Sequence, residues 1–147
     1  MRAVVTRVKS ASVKIDDKIN GAIQKGYLIL LGVGPKDTEK DAEHLADKIC
    51  HLRVFEDDHG KMSQSLEQVN GELLVVSQFT LYADLKSRRP GFSHAAKPDL
   101  AIPMYEKFME ACKGFGFHVE HGEFGADMQV ESVNDGPVTL LYDTDEV

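Results

Sequence analysis

The sequence predicts an α+β fold in which a curved antiparallel or mixed β-sheet, or a barrel, packs with two main helices. Strand-like segments dominate the first and last thirds of the chain, and two segments between them repeat apolar residues at helical spacing. Strands and helices do not alternate regularly, which argues against a parallel α/β fold. The 147 residues suffice for one hydrophobic core and contain no repeat or linker. We therefore expect a single domain over residues 1–147.

Five segments predict the sheet. Residues 3–15 alternate apolar and polar side chains as a long strand does, and residues 16–24 have hairpin character. Residues 26–34 are apolar throughout, which is typical of a central strand buried on both faces. Residues 73–76 predict another buried strand, and residues 118–143 are strand-like again.

Two segments predict the helices. Apolar residues recur at helical spacing over residues 38–52, with Asp37 or Thr38 as the N-cap. The second helix is expected from about Asp99 to Lys113. Pro103 is tolerable only in its first turn, and Gly114 should lie beyond its end.

The composition indicates a soluble globular protein, with 42% hydrophobic and 28% charged residues. No apolar run approaches the ~20 residues of a membrane span, and Met1-Arg2 leads into strand-like sequence rather than a signal peptide. Cys50 and Cys112 lack the spacing of a redox or zinc motif, so they are interpreted as core thiols in a reducing compartment. We expect a cytoplasmic protein without a membrane partner.

The charge distribution is uneven around a net charge of −7. Residues 1–15 and residues 85–98 contain basic side chains and no acidic one; these are Arg2, Arg7, Lys9 and Lys14, then Lys86, Arg88, Arg89 and Lys97. A protein that coats duplex DNA spreads its basic charge more widely, so no DNA partner is expected. Two small basic patches suit a partner held over a short length, such as an RNA end. Ordinary surface heterogeneity explains the same pattern equally well.

Common enzyme signatures are absent: no P-loop, no nucleophile elbow and no zinc-protease motif. His118 and His121 lie three residues apart in a predicted strand, which directs them to opposite faces. We expect no metal site and no cofactor.

A polar segment, Ser77-Gln78-Phe79-Thr80, follows the buried run 73–76 without a turn residue between them. Alternation would place Gln78 and Thr80 on one face unless a bulge redirects them. Either the strand simply reaches the surface, or it opens into a cleft and supplies hydrogen-bonding groups to a ligand site.

A second unusual segment interrupts the last strand with Gly136-Pro137. Proline cannot donate to a sheet and glycine weakens a strand interior, so this pair belongs at an edge, bulge or turn. A turn begun by Asn134-Asp135 is the simple interpretation. The alternative is a backbone shaped to contact a ligand.

The segments SQFTLYAD and NDGPVT together resemble the D-aminoacyl-tRNA deacylase family, and the likeness extends from the MRAVVTRVKSASVKI opening to FGADMQVESVNDGPVTL. Members of that family hydrolyse the ester between a D-amino acid, or glycine, and the terminal adenosine of tRNA. The resemblance implies a tRNA-binding hydrolase that proofreads aminoacyl-tRNA in the cytoplasm. It also implies a barrel-like homodimer with its sites at the subunit interface, without a metal or cofactor.

Gly136 and Pro137 take a specific role under this resemblance. Their peptide bond should be cis, with its carbonyl groups directed into the partner subunit's site. Such a main-chain wall would hold the substrate's ammonium group and leave no room for an L side chain. It would therefore select by excluding the wrong ligand.

The resemblance assigns catalysis to Ser77, Gln78, Phe79 and Thr80. Thr80 has no neighbouring base in the sequence, and an unactivated hydroxyl is a weak nucleophile. We therefore expect the terminal ribose 2′-OH to assist, while main-chain N–H groups near residues 77–79 stabilise the oxyanion.

The resemblance also assigns supporting roles and contains one departure. Arg7 should support the Gly-Pro segment, and Met128 should line the site. Many relatives read GNRPSF where this chain reads SRRPGF at residues 87–92, so Arg88 and Arg89 are candidates for tRNA phosphate contacts. The alternatives are a noncatalytic module that binds an RNA end or an amino acid, and an ordinary serine or cysteine esterase.

Overall fold

The computed structural model describes residues 1–147 and contains eight strands, two α-helices and one 3₁₀ turn. In chain order these are β1 (Arg2–Ile15), β2 (Lys18–Ile23), β3 (Gly26–Gly32), α1 (Glu39–Cys50), β4 (Phe55–Glu56), β5 (Met62–Gln64), β6 (Glu72–Ser77), the 3₁₀ turn (Phe79–Tyr82), α2 (Pro98–Gly114), β7 (Val119–His121) and β8 (Gln129–Asp143). The predicted α+β class with two helices is confirmed.

The long strand β1 organises a mixed sheet. Antiparallel β8 runs along one edge of β1, while β3 and β2 share the other edge. The sheet continues from β3 through parallel β6 to parallel β7. β7 returns close to β2, where the Asn20 side-chain amide donates a 2.7 Å hydrogen bond to the carbonyl oxygen of His121. The sheet is thus a nearly closed barrel, as the sequence predicts.

Two apolar clusters hold the fold together. The larger contains 24 buried residues and joins one face of the sheet to both helices, with Ile29 of β3 and Phe108 of α2 among its members. The smaller contains 7 buried residues inside the curved sheet, among them Val8 and Val76. Each fully buried large side chain contributes roughly 1.5–3 kcal/mol. The central position of β3 between the two clusters confirms its prediction.

The predicted N-terminus of α1 is confirmed by its cap. The Thr38 backbone N–H donates to Oδ2 of Asp41 at 2.8 Å, which satisfies one of the unpaired donors at this end. The boundaries of α2 differ from the prediction, because Pro103 lies in the second turn and Gly114 is the last helical residue. Burial of the face that contains Met104 and Phe108 offsets the backbone hydrogen bond that Pro103 cannot make.

The two cysteines lie in the core, as expected, and both are free thiols. Neither α1 nor α2 has the length and continuous apolar character that a membrane-spanning helix requires.

Candidate active site

Strand β6 leaves the core at Ser77 and opens on a groove of about 600 Å³. The Gln78 N–H still donates to the carbonyl oxygen of Leu31 at 2.8 Å, and the chain then bends into the 3₁₀ turn. Ser77, Gln78 and Phe79 line the groove together with Met128 from the segment before β8. The end of a rigid buried strand therefore presents polar groups to an open cavity.

The side chains of Gln78 and Thr80 meet, although not through the strand alternation that the sequence suggested. The Nε2 atom of Gln78 donates a short hydrogen bond to Oγ1 of Thr80 across the 3₁₀ turn. No histidine or carboxylate side chain forms a hydrogen bond with Thr80. The arrangement contains no general base that could activate the hydroxyl.

Two adjacent main-chain donors begin this turn. The N–H groups of Phe79 and Thr80 are the first in the turn and so have no acceptor within it, whereas those of Leu81 and Ala83 bond to the carbonyl oxygens of Gln78 and Thr80. Free N–H groups at fixed positions can stabilise a developing negative charge.

Aromatic side chains form much of the groove wall. Phe79 and Phe92 make an edge-to-face pair with ring centroids 5.2 Å apart, and Phe124 lines the same groove. Phe79 remains 52% exposed, so one ring in the pair can still contact a ligand. The sequence analysis missed Phe92 and Phe124, which are single aromatic residues in loops and have no local pattern of their own.

The Gly136–Pro137 peptide is trans, so the predicted cis bond is wrong. The trans form of an X-Pro bond is favoured by about 0.5–1 kcal/mol unless surrounding contacts select cis. The segment is neither a simple turn nor regular strand. Thr139 pairs with Thr6 and Asn134 pairs with Val8, so residues 135–138 form a bulge in β8 opposite Arg7. Gly136 and Pro137 are exposed and do not line the groove of their own chain.

Arg7 lies beneath this bulge and is only 4% exposed. Its Nε atom donates to the carbonyl oxygen of Asp135 at 3.0 Å and lies 3.6 Å from the Asp135 carboxylate, while Nη1 donates to the carbonyl oxygen of Val54. A β-carbon added to Gly136, which has a φ of 107°, would lie 2.1 Å from Nη2 of Arg7. Glycine at this position therefore allows the close approach of the guanidinium.

The structure confirms only one of the two predicted basic patches as an exposed basic surface. The patch over residues 1–15 is not a continuous basic surface, because Arg7 is buried, Arg2 pairs with Asp143 at 3.1 Å, and Lys14 lies 3.9 Å from Glu131. Of its four members, only Lys9 is exposed without a carboxylate partner. The second patch is exposed, and none of its members forms an ion pair with a carboxylate; these are Lys86, Arg88, Arg89 and Lys97.

Two titratable groups beside the 3₁₀ turn have shifted pKa values. Burial raises the pKa of Tyr82, and the Asp37 carboxylate raises it further, so its phenol stays neutral at physiological pH. Burial opposes ionisation of Asp143, but hydrogen bonds from the Asp145 N–H and from Arg2 outweigh it and lower the pKa of Asp143. Arg2 and Asp143 therefore form an ion pair at neutral pH.

The family model described as D-Tyr-tRNA(Tyr) deacylase matches residues 4–143. The chain belongs to this family. Proteins named D-aminoacyl-tRNA deacylase in Thermosipho africanus and Bacillus pumilus are each 56% identical to it. The first match covers 100% of this chain and 99% of its relative, and the second covers 99% and 100%. The resemblance recognised in the sequence is confirmed, and family membership identifies the chain as a hydrolase of the deacylase class.

Solved structures agree with the deacylase fold. The c-Myc DNA Unwinding Element Binding Protein aligns with a TM-score of 0.91 at 42% identity, covering 97% of this chain and 98% of that chain. A probable eukaryotic D-amino acid tRNA deacylase aligns with a TM-score of 0.84 over 96% of this chain and 97% of that chain. Because the two sequences are only 17% identical, this alignment supports the fold alone.

Proposed function

We propose that this chain hydrolyses the ester bond of D-aminoacyl-tRNA, and of mischarged glycyl-tRNA, to release the amino acid and the tRNA. It rejects L-aminoacyl-tRNA and so contributes to quality control of translation in the cytoplasm. The observation that carries the proposal is the groove at residues 77–79, where the main-chain donors that begin the 3₁₀ turn border a largely apolar cavity in a member of the deacylase family.

The proposed chemical step uses the substrate's own hydroxyl. A water molecule attacks the ester carbonyl with help from the terminal ribose 2′-OH, because Thr80 has no base to activate its own hydroxyl. The bond between the carbonyl carbon and the ribose 3′ oxygen then breaks, and that oxygen takes up a proton as the tRNA leaves. The N–H groups of Phe79 and Thr80 stabilise the oxyanion, and the hydrogen bond between Gln78 and Thr80 keeps the turn in place. Ser77, at the end of β6, fixes the position of these donors relative to the sheet.

The proposed chirality filter comes from a second copy of the chain. In a homodimer, the bulge at Gly136 and Pro137 of one protomer faces the groove of its partner. Two observations support this arrangement: the bulge is exposed, and it does not line its own groove. Strand β8 also exposes Val133 to 51% and Leu141 to 80%, which a partner subunit would cover.

The filter does not require a cis bond. Main-chain carbonyl oxygens at the bulge bind the substrate ammonium, and the rigid backbone leaves no space for an L side chain. Because the wall consists of main chain, most side-chain substitutions leave it intact. Arg7 maintains the bulge from below, and Met128 lines the groove on the adjacent side.

The acceptor end of tRNA would lie across the exposed basic loop. Arg88 and Arg89 contact the phosphates in this proposal, and the loop leads through Phe92 and Lys97 to the groove. An acidic protein with one unpaired basic surface suits a short nucleic-acid contact.

The decisive assay compares release of tyrosine from D-tyrosyl-tRNA and from L-tyrosyl-tRNA by the purified protein. We expect rapid release of the D form and none of the L form above the uncatalysed rate. Equal rates on both forms would end the chirality argument. Binding of the D form without release would support the noncatalytic module. Sensitivity to covalent serine or thiol reagents would instead indicate an ordinary esterase.

Mixing two inactive variants tests whether sites are shared. A Gln78→Ala protomer keeps an intact bulge, and a Gly136→Val protomer keeps an intact groove. If the bulge acts on the partner's groove, unfolding and refolding the two together regenerates one intact site in each mixed dimer. No recovery of activity in proven mixed dimers would show that the bulge does not act across subunits.

A further inference from the structure

The 3₁₀ turn that contains Phe79 and Thr80 has few internal contacts that could fix its position. It spans four residues, none of them buried, and a single turn of 3₁₀ helix has poor hydrogen-bond geometry. The N–H groups of Leu81 and Ala83 bond only locally, to the carbonyl oxygens of Gln78 and Thr80. The placement of its donors must therefore come from contacts with neighbouring elements.

Arg2 makes three such contacts, two with the 3₁₀ turn and one with β8. Its Nη1 donates to the carbonyl oxygen of Leu81 in the 3₁₀ turn at 2.9 Å, and its Nε donates to Oδ2 of Asp143 at the end of β8 at 3.1 Å. Its Cζ lies 4.4 Å from the centre of the Tyr82 ring. A planar guanidinium with several fixed donors can make all three contacts at once, which a lysine ammonium cannot.

The Tyr82 ring is also in contact with the end of the central sheet. A β-carbon added to Gly34 would lie 3.0 Å from both Cε1 and the phenol oxygen of Tyr82. A β-carbon added to Gly32 would lie 3.0 Å from the carbonyl oxygen of Gln78. The 3₁₀ turn therefore packs directly against the backbone at Gly32 and Gly34, because these glycines have no side chains to keep the two segments apart.

We propose that Arg2 is a positioning residue for deacylation, and that it fixes the 3₁₀ turn by holding Leu81 and Tyr82 against β1 and β8. The inference rests on the proposed function, because it concerns the donors at Phe79 and Thr80. Arg2 does not touch the substrate. It acts by keeping the turn at the distance from the groove that the reaction requires.

The test compares Arg2→Met and Arg2→Lys with the wild-type protein. Arg2→Met should lower kcat for D-tyrosyl-tRNA by about 10- to 100-fold, because a misplacement of about 1 Å can cost that much, and should leave KM unchanged. Arg2→Lys should recover part of kcat, since its ammonium can still contact Tyr82 and Asp143. Lys40→Met is the matched control, because it removes one positive charge from an exposed position of α1.

A second readout does not depend on activity. The amide protons of Leu81 and Ala83 should exchange faster with solvent in Arg2→Met, while those of Ile29 and Val75 in the core should not change. Tyr82→Leu should cause the same local effect, and combining it with Arg2→Met should add little, because both substitutions remove the contact between the Arg2 guanidinium and the Tyr82 ring.

The results distinguish failure of this inference from failure of the proposed function. Wild-type kcat in Arg2→Met, or unchanged exchange at Leu81 and Ala83, would overturn the inference. A fall in kcat that tracks loss of folded protein would also overturn it and leave Arg2 a purely structural residue. A wild-type protein without activity on D-tyrosyl-tRNA would remove the proposed function, and the exchange measurement would still decide whether Arg2 holds the turn.

Discussion

The Nε atom of Arg7 on β1 donates a 3.0 Å hydrogen bond to the main-chain carbonyl oxygen of Asp135 in the β8 bulge. A nearly buried cation thereby holds the main-chain segment next to the exposed residues Gly136 and Pro137. The conformation of the proposed chirality filter therefore depends on this arginine as well as on the glycine at position 136.

Arg7→Met should lower both stability and stereoselectivity. The substitution leaves the carbonyl oxygens of Val54 and Asp135 without their donor, which should reduce the free energy of unfolding by about 2–4 kcal/mol. Urea unfolding measures this loss, with exposed Lys48→Met as the control. Retention of wild-type discrimination between D- and L-tyrosyl-tRNA in folded Arg7→Met would show that the bulge does not need this support.

Gly136→Ala should destabilise the protein for two separable reasons. Its φ of 107° is unfavourable for any L residue, and its β-carbon would collide with Nη2 of Arg7. Gly116→Ala is the matched control, because Gly116 has a φ of 96° and no atom near its added β-carbon. We expect a loss of about 1–3 kcal/mol at Gly136 beyond the control. Equal losses at both positions would exclude the contact with Arg7 as a cause.

Thr80→Ala should reduce kcat by less than about 10-fold, because no base activates its hydroxyl. A nucleophilic or general acid–base Thr80 would instead require a loss of about 10²–10⁴-fold. A D-tyrosyl-tRNA that ends in 2′-deoxyadenosine, with the amino acid on the 3′ oxygen, provides the complementary measurement. Wild-type turnover of that substrate would contradict the role proposed for the 2′-OH.

Arg88→Gln with Arg89→Gln should weaken tRNA binding without changing the chemical step. Both side chains are exposed and make no ion pair, so their removal should not unfold the protein. The dependence of log Kd on log salt should decrease by about 0.7 for each lost phosphate contact with single-stranded RNA. KM should rise while kcat stays constant, and Lys61→Gln on the β4–β5 hairpin serves as the control. An unchanged salt dependence would place the tRNA elsewhere.

Asp143→Asn should reduce the loss of stability that the protein shows as the pH falls. Hydrogen bonds, including one from Arg2, hold the pKa of Asp143 below its usual value of 3.8, despite opposition from burial. Its contribution to stability is present above 3.8 and is lost as pH falls through the lowered pKa of the folded state. Wild type should therefore be more stable than the variant at pH 7, and the difference should shrink below about pH 4. A difference that does not change with pH would contradict this assignment.

Local patterns predicted most of the secondary structure. The alternation in β1, the continuous apolar run of β3 and the Thr38 cap each depend on neighbouring residues, so the sequence contains enough information to identify them. The polar segment after β6 was also visible, because hydrogen-bonding residues directly followed a buried strand. Its 3₁₀ geometry was not, since regular alternation alone suggested that Gln78 and Thr80 would share a strand face.

The errors concern relations between distant parts of the chain. Arg2 was assigned to a basic patch, but it pairs with Asp143, which lies 141 residues later and becomes its neighbour only through the pairing of β1 with β8. Burial of Arg7 has the same origin, because its partners lie 47 and 128 residues away. The peptide bond at Gly136 and Pro137 depends on contacts that the bare sequence does not specify. The dimer, the tRNA contacts and the roles of the site residues stay predictions.

Strand β1 contains both Arg2, which contacts the 3₁₀ turn, and Arg7, which contacts the bulge. The two residues are an odd number of positions apart, so their side chains leave opposite faces of one extended segment. Insertion of a single residue between them would reverse one side chain and leave the other in place. The spacing of five residues between Arg2 and Arg7 thus fixes the 3₁₀ turn and the β8 bulge relative to one another. A change in the length of β1 between these two residues would therefore displace one of them relative to the other.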